Sequence, residues 1–142
     1  MIGASPSTNL SSDQVKWDAE VPYPVGSIGT IEALQAGIDA TKPGNKVDDV
    51  AQAFWKVLDK YGIEKKSRTG YSIGIGYPPD WGEHTLNIYK GDMTLLEPNI
   101  CFHMIAVMQF GDWGVEASEA IRVTEKGSEL FCNLSKELHV KR

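Results

Sequence analysis

Residues 70–84 read Gly70-Tyr71-Ser72-Ile73-Gly74-Ile75-Gly76-Tyr77-Pro78-Pro79-Asp80-Trp81-Gly82-Glu83-His84, and a change of pattern at this point indicates the class of the protein. Before residue 70 the apolar residues recur at helical spacing, whereas here they follow a period of two. The alternation predicts a strand over residues 71–76. The Pro78-Pro79 pair predicts an extended or turning loop directly after it, because proline fixes its own backbone and restricts the residue before it.

Further strands are predicted downstream, separated by turns that are rich in glycine and aspartate. They cover residues 86–89, 100–108, 115–123 and 130–132, with turns at 90–92, 110–114 and 125–127. The run 100–108 is apolar almost throughout, which is typical of a strand covered on both faces. The pattern therefore predicts an antiparallel meander.

Two helices are predicted ahead of these strands. The first begins at Ile28, places Ile31, Leu34 and Ile38 on one face, and ends at the breaker Lys42-Pro43-Gly44. The second begins near Asn45 or Val47 and ends at Gly62. Its apolar residues make one stripe at helical spacing: Val47, Val50, Ala51, Phe54, Trp55, Leu58 and Tyr61. Such a stripe far more often packs on a sheet than binds a cofactor, so the arrangement predicted is α+β.

Composition bounds the remaining possibilities. A chain of 142 residues with 42% hydrophobic and 23% charged residues suits one globular domain. Residues 1–27 carry three prolines and no sustained periodicity, so they are predicted to be an extended or poorly ordered N-terminal arm to a domain of residues 28–142. The net charge of −5 gives no electrostatic footprint for nucleic acid, and no apolar run predicts a membrane span. Residues 1–18 lack the pattern of a secretory signal, so the predicted location is cytoplasmic.

Three motifs together resemble one known superfamily. They are the run 70–84, the turn Leu96-Glu97-Pro98, and residues 114–127 with the hairpin Val123-Thr124-Glu125-Lys126-Gly127. A glycine-punctuated strand, such a turn and such a hairpin occur in this order in the prolidase, aminopeptidase and creatinase superfamily. Within it, Pro-Pro-Asp-Trp-Gly-Glu-His resembles the ectoine hydrolase branch most. The resemblance covers roughly residues 28–142 and implies half of a pita-bread fold, the C-terminal half of its catalytic domain, with two helices packed on an antiparallel curved sheet.

The resemblance also implies that this chain holds no metal and no other cofactor. Metal-dependent members bind two ions through two Asp, one His and two Glu. The position of the family's His is occupied here by Tyr71, and the two Glu positions fall on Ile105 and Ser118, although Glu119 is one place away. The two Asp positions have no match, since Asp13 and Asp18 lie in a segment of different pattern. Hard divalent cations need several oxygen or imidazole ligands, which these residue types do not supply.

The metal-independent branch opens a C–N bond with His and Glu side chains, and the resemblance supplies two catalytic candidates. His84 follows the Pro-Pro loop and is predicted to be the acid/base, with an exposed or capping histidine as the structural alternative. Glu119 is predicted to anchor the cationic group of the substrate. Glu116 lies three residues earlier on the same strand, so it must point to the opposite face and is predicted to be solvated.

A second group of residues is predicted to bind substrate because it lies on or beside the same loops. It comprises Tyr71, Asp80, Trp81, His103 and Trp113. Aromatic rings can hold a small cation by cation–π contact, but they also cover the ends of sheets. His103 interrupts a buried strand, and a satisfied core histidine is the alternative there.

These inferences combine into one functional prediction with one alternative. The chain is predicted to be a creatinase- or ectoine hydrolase-like hydrolase fragment that acts, without metal, on a C–N bond of a small zwitterionic amino-acid derivative. The alternative is a non-catalytic remnant that binds or dimerises. The expected partners of the chain are the small zwitterion and a second copy of the chain in a homodimer. No nucleic acid and no membrane are expected as partners.

Overall fold

The structure, a computed structural model, describes residues 2–4, 23–77 and 80–136 as two helices and six strands. In chain order these are β1 (Ile2–Ala4), α1 (Tyr23–Ala40), α2 (Val47–Lys60), β2 (Gly70–Tyr77), β3 (Asp80–Asn87), β4 (Cys101–Phe110), β5 (Trp113–Thr124) and β6 (Gly127–Leu130). The predicted α+β arrangement of two helices packed on an antiparallel curved sheet is confirmed, but the predicted meander is wrong, because β4 pairs with β2 and not with β3, the strand before it in the chain.

All strand pairs in the sheet are antiparallel, in the order β1-β5-β4-β2-β3, and β6 also pairs with β5. The longest ladder joins β4 to β5 over ten consecutive residue pairs, from Cys101 opposite Arg122 to Phe110 opposite Trp113. Strand β2 lies on the other side of β4, with Tyr71 opposite His103. The two central strands therefore bring segments together that are far apart in sequence.

The two faces of β4 differ in burial. Phe102, Met104 and Ala106 are fully buried against the helices, whereas their neighbours on the opposite face are only half-buried and Val107 is 43% exposed. We call this second surface, which carries Tyr71, His103, Ile105, Glu116 and Ser118, the open face of the sheet. Within the described residues the helices cover one face of β4 only, so cover on the second face of the run 100–108 stays a prediction.

Both helices bury most of the residues that their apolar spacing selects, while Ile31 and Tyr61 are half-buried. In α2 the buried set is Val47, Val50, Ala51, Phe54, Trp55 and Leu58, as the stripe predicted. In α1, Leu34 and Ile38 are buried, and a Cβ added at Gly37 would lie 2.8 Å from the sulfur of Met104. Glycine at this position lets α1 lie close against β4. Neither helix of the described residues is long and apolar enough to span a membrane.

The ends of the helices differ in how well the sequence predicted them. The first turn of α2 is closed by Asp49, whose carboxylate accepts a hydrogen bond of 2.7 Å from the Lys46 backbone N–H. Gly62, at φ +65°, ends the helix in the left-handed region. Helix α1, however, begins at Tyr23, five residues before the predicted start.

The N-terminal arm is described only in part. Residues 23–27, which were predicted to belong to it, are helical, and Ile2–Ala4 form a strand that pairs with β5. Residues 5–22 lie outside the described residues.

The core under the helices should dominate stability. Phe102→Ala removes a side chain that is completely buried, so we expect it to lower the free energy of unfolding by about 3–5 kcal/mol. Urea unfolding followed by circular dichroism measures this. Phe131→Ala is the matched control, because Phe131 is 58% exposed and its loss should change stability little. Equal losses in the two variants would contradict the assignment of the core.

Candidate functional site

Tyr71 and His103 form a hydrogen-bonded pair in the middle of the open face. The Tyr71 hydroxyl lies 2.7 Å from Nδ1 of His103, and the two rings meet edge to face with centres 5.2 Å apart. The pair exists because Tyr71 on β2 is directly opposite His103 on β4, where side chains of facing residues share one face. Both were predicted to bind substrate, and the structure brings them together.

The environment of His103 favours the neutral imidazole. Partial burial lowers the pKa of His103 below its ordinary value of 6.5, and the negative charge of Glu116 acts in the opposite direction. A neutral imidazole keeps one nitrogen as a hydrogen-bond donor and leaves the other able to accept a proton. Tyr71 contacts Nδ1 and so restricts the orientation of the ring. The pair has the chemistry required of a general acid/base.

A guanidinium group lies beside this pair. Cζ of Arg68 is 4.7 Å from the centre of the Tyr71 ring, and the guanidinium donates a hydrogen bond to the side-chain carbonyl of Asn87. Asn87 on β3 is opposite Tyr71, so Asn87, Tyr71 and His103 form one row across three strands. Neither Arg68 nor Asn87 was predicted from the sequence to belong to a site. The only signal was an arginine three residues before Tyr71, and its significance depends on the pairing of β2 with β3.

The positions that the resemblance assigns to the family's His and Glu ligands share the open face. Ile105 and Ser118 are directly opposite each other, and Tyr71 is opposite His103, two residues from Ile105 on β4. A phenol, an alkyl chain and a hydroxyl do not make a site for a pair of divalent cations. Within residues 2–4, 23–77 and 80–136, no group of three or more His, Cys, Asp or Glu side chains could hold a metal ion. The residues present therefore do not fit the metal centre of the resembled family.

The two glutamates of β5 point to opposite faces, as predicted from their spacing. Glu119 lies opposite Met104 on the face covered by the helices; it is buried, and its carboxylate is 3.2 Å from the ammonium of Lys136. Glu116 lies opposite Val107 on the open face and is exposed. The structure thus separates Glu119 from the Tyr71–His103 pair and places Glu116 on the same face as that pair.

His84 on β3 and Trp113 on β5 lie outside the row that contains Tyr71 and His103. His84 is exposed on β3 with its backbone in the left-handed region, at φ +57°. Trp113 stacks on Phe110 with ring centres 4.4 Å apart and lies against α1, where a Cβ added at Gly26 would be 2.6 Å from its ring. That contact matches the alternative in which the tryptophan covers the end of the sheet. The side chains of Asp80 and Trp81 lie outside the described residues.

The charge of Glu116 provides a test of the electrostatics of the open face. Glu116→Gln removes an anion that favours the imidazolium, so we expect the pKa of His103 to fall further below 6.5. Titration of the His103 Cε1–H resonance by NMR measures the change. Glu125→Gln removes the same charge at an exposed turn and should leave that resonance's midpoint unchanged. A rise in the midpoint for Glu116→Gln would contradict the arrangement.

Comparison with known proteins identifies the family of this sheet and its helices. The profile of Metallopeptidase family M24 matches residues 29–125. The ectoine hydrolase of Halomonas elongata is 42% identical over 112 residues, which cover 78% of this chain and 28% of that protein. An uncharacterized hydrolase/peptidase of Sinorhizobium fredii is 39% identical over 111 residues, again 78% of this chain and 28% of that protein. The chain thus spans under a third of the length of these relatives.

Solved structures give the same result for the fold. The dipeptidase PepE of Mycobacterium ulcerans superposes with a TM-score of 0.73 at 27% sequence identity, covering 86% of this chain and 33% of the other. The prolidase of Pyrococcus furiosus superposes with a TM-score of 0.70 at 18% identity, covering 78% of this chain and 32% of the other. The two helices and their curled antiparallel sheet are half of a pita-bread fold, and the chain belongs to the M24 peptidase family.

Proposed function

We propose that this chain carries out metal-independent hydrolysis of a C–N bond in a small zwitterionic amino-acid derivative, with Tyr71 and His103 as its acid/base pair. The observation that carries this proposal is the contact of 2.7 Å between the Tyr71 hydroxyl and Nδ1 of a half-buried His103. The similarity to an ectoine hydrolase supports the substrate class. This chain covers 28% of that relative, so we propose, and do not take from the similarity, that it carries the activity of the whole enzyme.

The proposed reaction uses the neutral imidazole of His103 first as a base and then as an acid. His103 takes a proton from the attacking water, whose oxygen forms the new bond to carbon. It then delivers that proton to the departing nitrogen as the C–N bond breaks, which restores the neutral ring. Tyr71 orients the imidazole through Nδ1, and the negative charge of Glu116 stabilises the imidazolium that forms between the two steps.

The role of cation anchor belongs in this proposal to Glu116 and not to Glu119. The resemblance pointed to Glu119, yet its carboxylate is buried on the helix face and paired with Lys136. A buried carboxylate of this kind stabilises the fold only while its partner remains, since a lone buried charge is costly. Glu116 is exposed on the face that carries His103, so a ligand on that face can reach it.

We also propose that the chain forms a homodimer. Strand β3 is the outermost strand next to β2 in the described sheet, and Ile75 on β2 is fully exposed while Val107 on the open face is 43% exposed. An uncovered strand edge and exposed apolar side chains favour association with another chain. Sedimentation at several concentrations distinguishes a dimer from a monomer.

Substitution distinguishes whether His103 or His84 is the acid/base. His103→Asn keeps a polar atom near Tyr71 but removes the acid/base, so we expect turnover of ectoine to fall by about 100-fold or more. His84→Asn is the matched control, because His84 is exposed on β3, and it should retain most of the activity. Ectoine hydrolysis followed by chromatography measures both.

The reverse result would restore the role that the sequence predicted for His84. Loss of turnover in His84→Asn with full activity in His103→Asn would contradict the proposed pair. Binding of ectoine without any turnover in the unmodified chain would instead indicate the non-catalytic alternative.

The proposed chemistry also predicts the metal content. The side chains at the family's ligand positions Tyr71, Ile105 and Ser118 are poor ligands for hard cations, so protein purified without chelator should contain far less than one equivalent of divalent transition metal. Elemental analysis measures this, and EDTA should leave ectoine turnover unchanged. Two equivalents of zinc, manganese, cobalt or iron per chain would contradict the metal-independent mechanism.

A further inference from the structure

We infer that Arg68, held by Tyr71 and Asn87, forms a carboxylate-binding site beside the His103 pair and orients the substrate by its carboxylate. The inference rests on the proposed function, and it assigns the specificity for amino-acid derivatives to a residue that neither the sequence motifs nor the family resemblance selected. The chemical class of ligand is a small organic molecule with one carboxylate.

The geometry of Arg68 is suited to a carboxylate. Its guanidinium is positioned by two neutral groups, the face of the Tyr71 ring at 4.7 Å and the side-chain carbonyl of Asn87. A guanidinium has five N–H donors in a planar fork, and a carboxylate binds such a fork through two parallel hydrogen bonds. The hydrogen bond to Asn87 uses one part of the fork, so donors remain for a ligand.

The charge of Arg68 is not neutralised within the described residues. No described carboxylate lies within ion-pairing distance of Arg68. Arg122 on β5 differs, because its guanidinium is 2.6 Å from the carboxylate of Glu129. A fixed guanidinium with neutral partners keeps its affinity for an external anion, whereas one with an internal carboxylate has lost much of it.

Tyr71 connects this group to the proposed chemistry. Arg68 lies over the ring of Tyr71, and the hydroxyl of the same ring contacts His103. A small ligand whose carboxylate is bound by Arg68 therefore extends over Tyr71 toward the imidazole. Glu116 lies on the same face opposite Val107, four residues along β4 from His103, so it carries the opposite charge away from this carboxylate site.

The test compares ectoine with its carboxamide analogue, in which the carboxylate is replaced by a neutral group of similar size. Isothermal titration is carried out on the full chain and on Arg68→Gln. Ectoine should bind the variant about tenfold or more weakly, because a charge-assisted pair is lost. The carboxamide should bind both proteins equally. Lys66→Gln is the control, since it removes the same charge two residues away at an exposed position, and it should leave both affinities unchanged.

A second variant distinguishes loss of the carboxylate site from a general effect of the Arg68 substitution on the fold. Asn87→Asp keeps the size of the side chain but places a carboxylate next to the guanidinium. It should weaken ectoine binding in the same direction as Arg68→Gln, because the internal anion occupies the fork. Arg68→Lys should recover part of the affinity, as a charge without the planar fork. Equal ectoine affinity in the unmodified chain and Arg68→Gln would overturn the inference while leaving the proposed function standing.

A chain that binds no ectoine would contradict the proposed substrate without deciding the role of Arg68. In that case N-acetylglycine is used as the carboxylate probe, and the guanidinium N–H resonances are followed by NMR. A shift of the Arg68 resonances that N-acetylglycinamide does not cause would support the carboxylate site by itself. No shift with N-acetylglycine at tens of millimolar would overturn it.

Discussion

The antiparallel pairing of β4 with β5 is the constraint on which the site depends. Ten consecutive residue pairs join the two strands, so every side chain from Cys101 to Phe110 is assigned to one face together with its partner. Helices α1 and α2 then cover the face that carries Phe102 and Met104. The opposite face is left to Tyr71, His103 and the residues around them. A shift of one residue in this pairing would bury His103 among apolar side chains and expose the core.

The same constraint determines which carboxylate is available for chemistry. Glu119 falls on the covered face and is stabilised there by Lys136, whereas Glu116 falls on the open face and influences the pKa of His103. Partial burial keeps the imidazole neutral, and the phenol of Tyr71 holds it in place. A neutral imidazole is the form that the proposed acid/base step requires. The position that the resemblance assigns to a histidine ligand of metal-dependent members is occupied by Tyr71, whose hydroxyl contacts His103.

The sequence predicted those parts of the fold that depend on local pattern. The stripe of α2 and the strands 71–76, 100–108 and 115–123 were identified by period and by their breakers, and the opposite orientation of Glu116 and Glu119 followed from the period of two. The start of α1 was placed five residues late, because Pro24 and Gly26 have low helix propensity and packing against Phe110 and Trp113 overrides it. The helices cover one face of β4 within the described residues, and an apolar run alone does not show what packs on its second face.

The site was less predictable because it is made of distant residues. Tyr71 meets His103 only through the pairing of β2 with β4, across 32 positions in sequence. Glu119 forms an ion pair with Lys136, which follows the last strand. No pattern in the sequence indicates that these two residues are in contact. The tertiary structure likewise determines which face of β5 packs against the helices. The spacing of Glu116 and Glu119 therefore could not show which of the two lies on the open face.

The central claim is that the open face of the sheet binds the ligand. NMR mapping of ectoine binding on the isotope-labelled chain tests this claim most directly. We expect ectoine to shift the side-chain resonances of Tyr71, His103 and Ala120, which share one row of that face, and to leave those of Met104 and Ala117 on the helix face unchanged. Shifts centred on Met104 and Glu119 under the helices, with no change at Tyr71 and His103, would contradict the account.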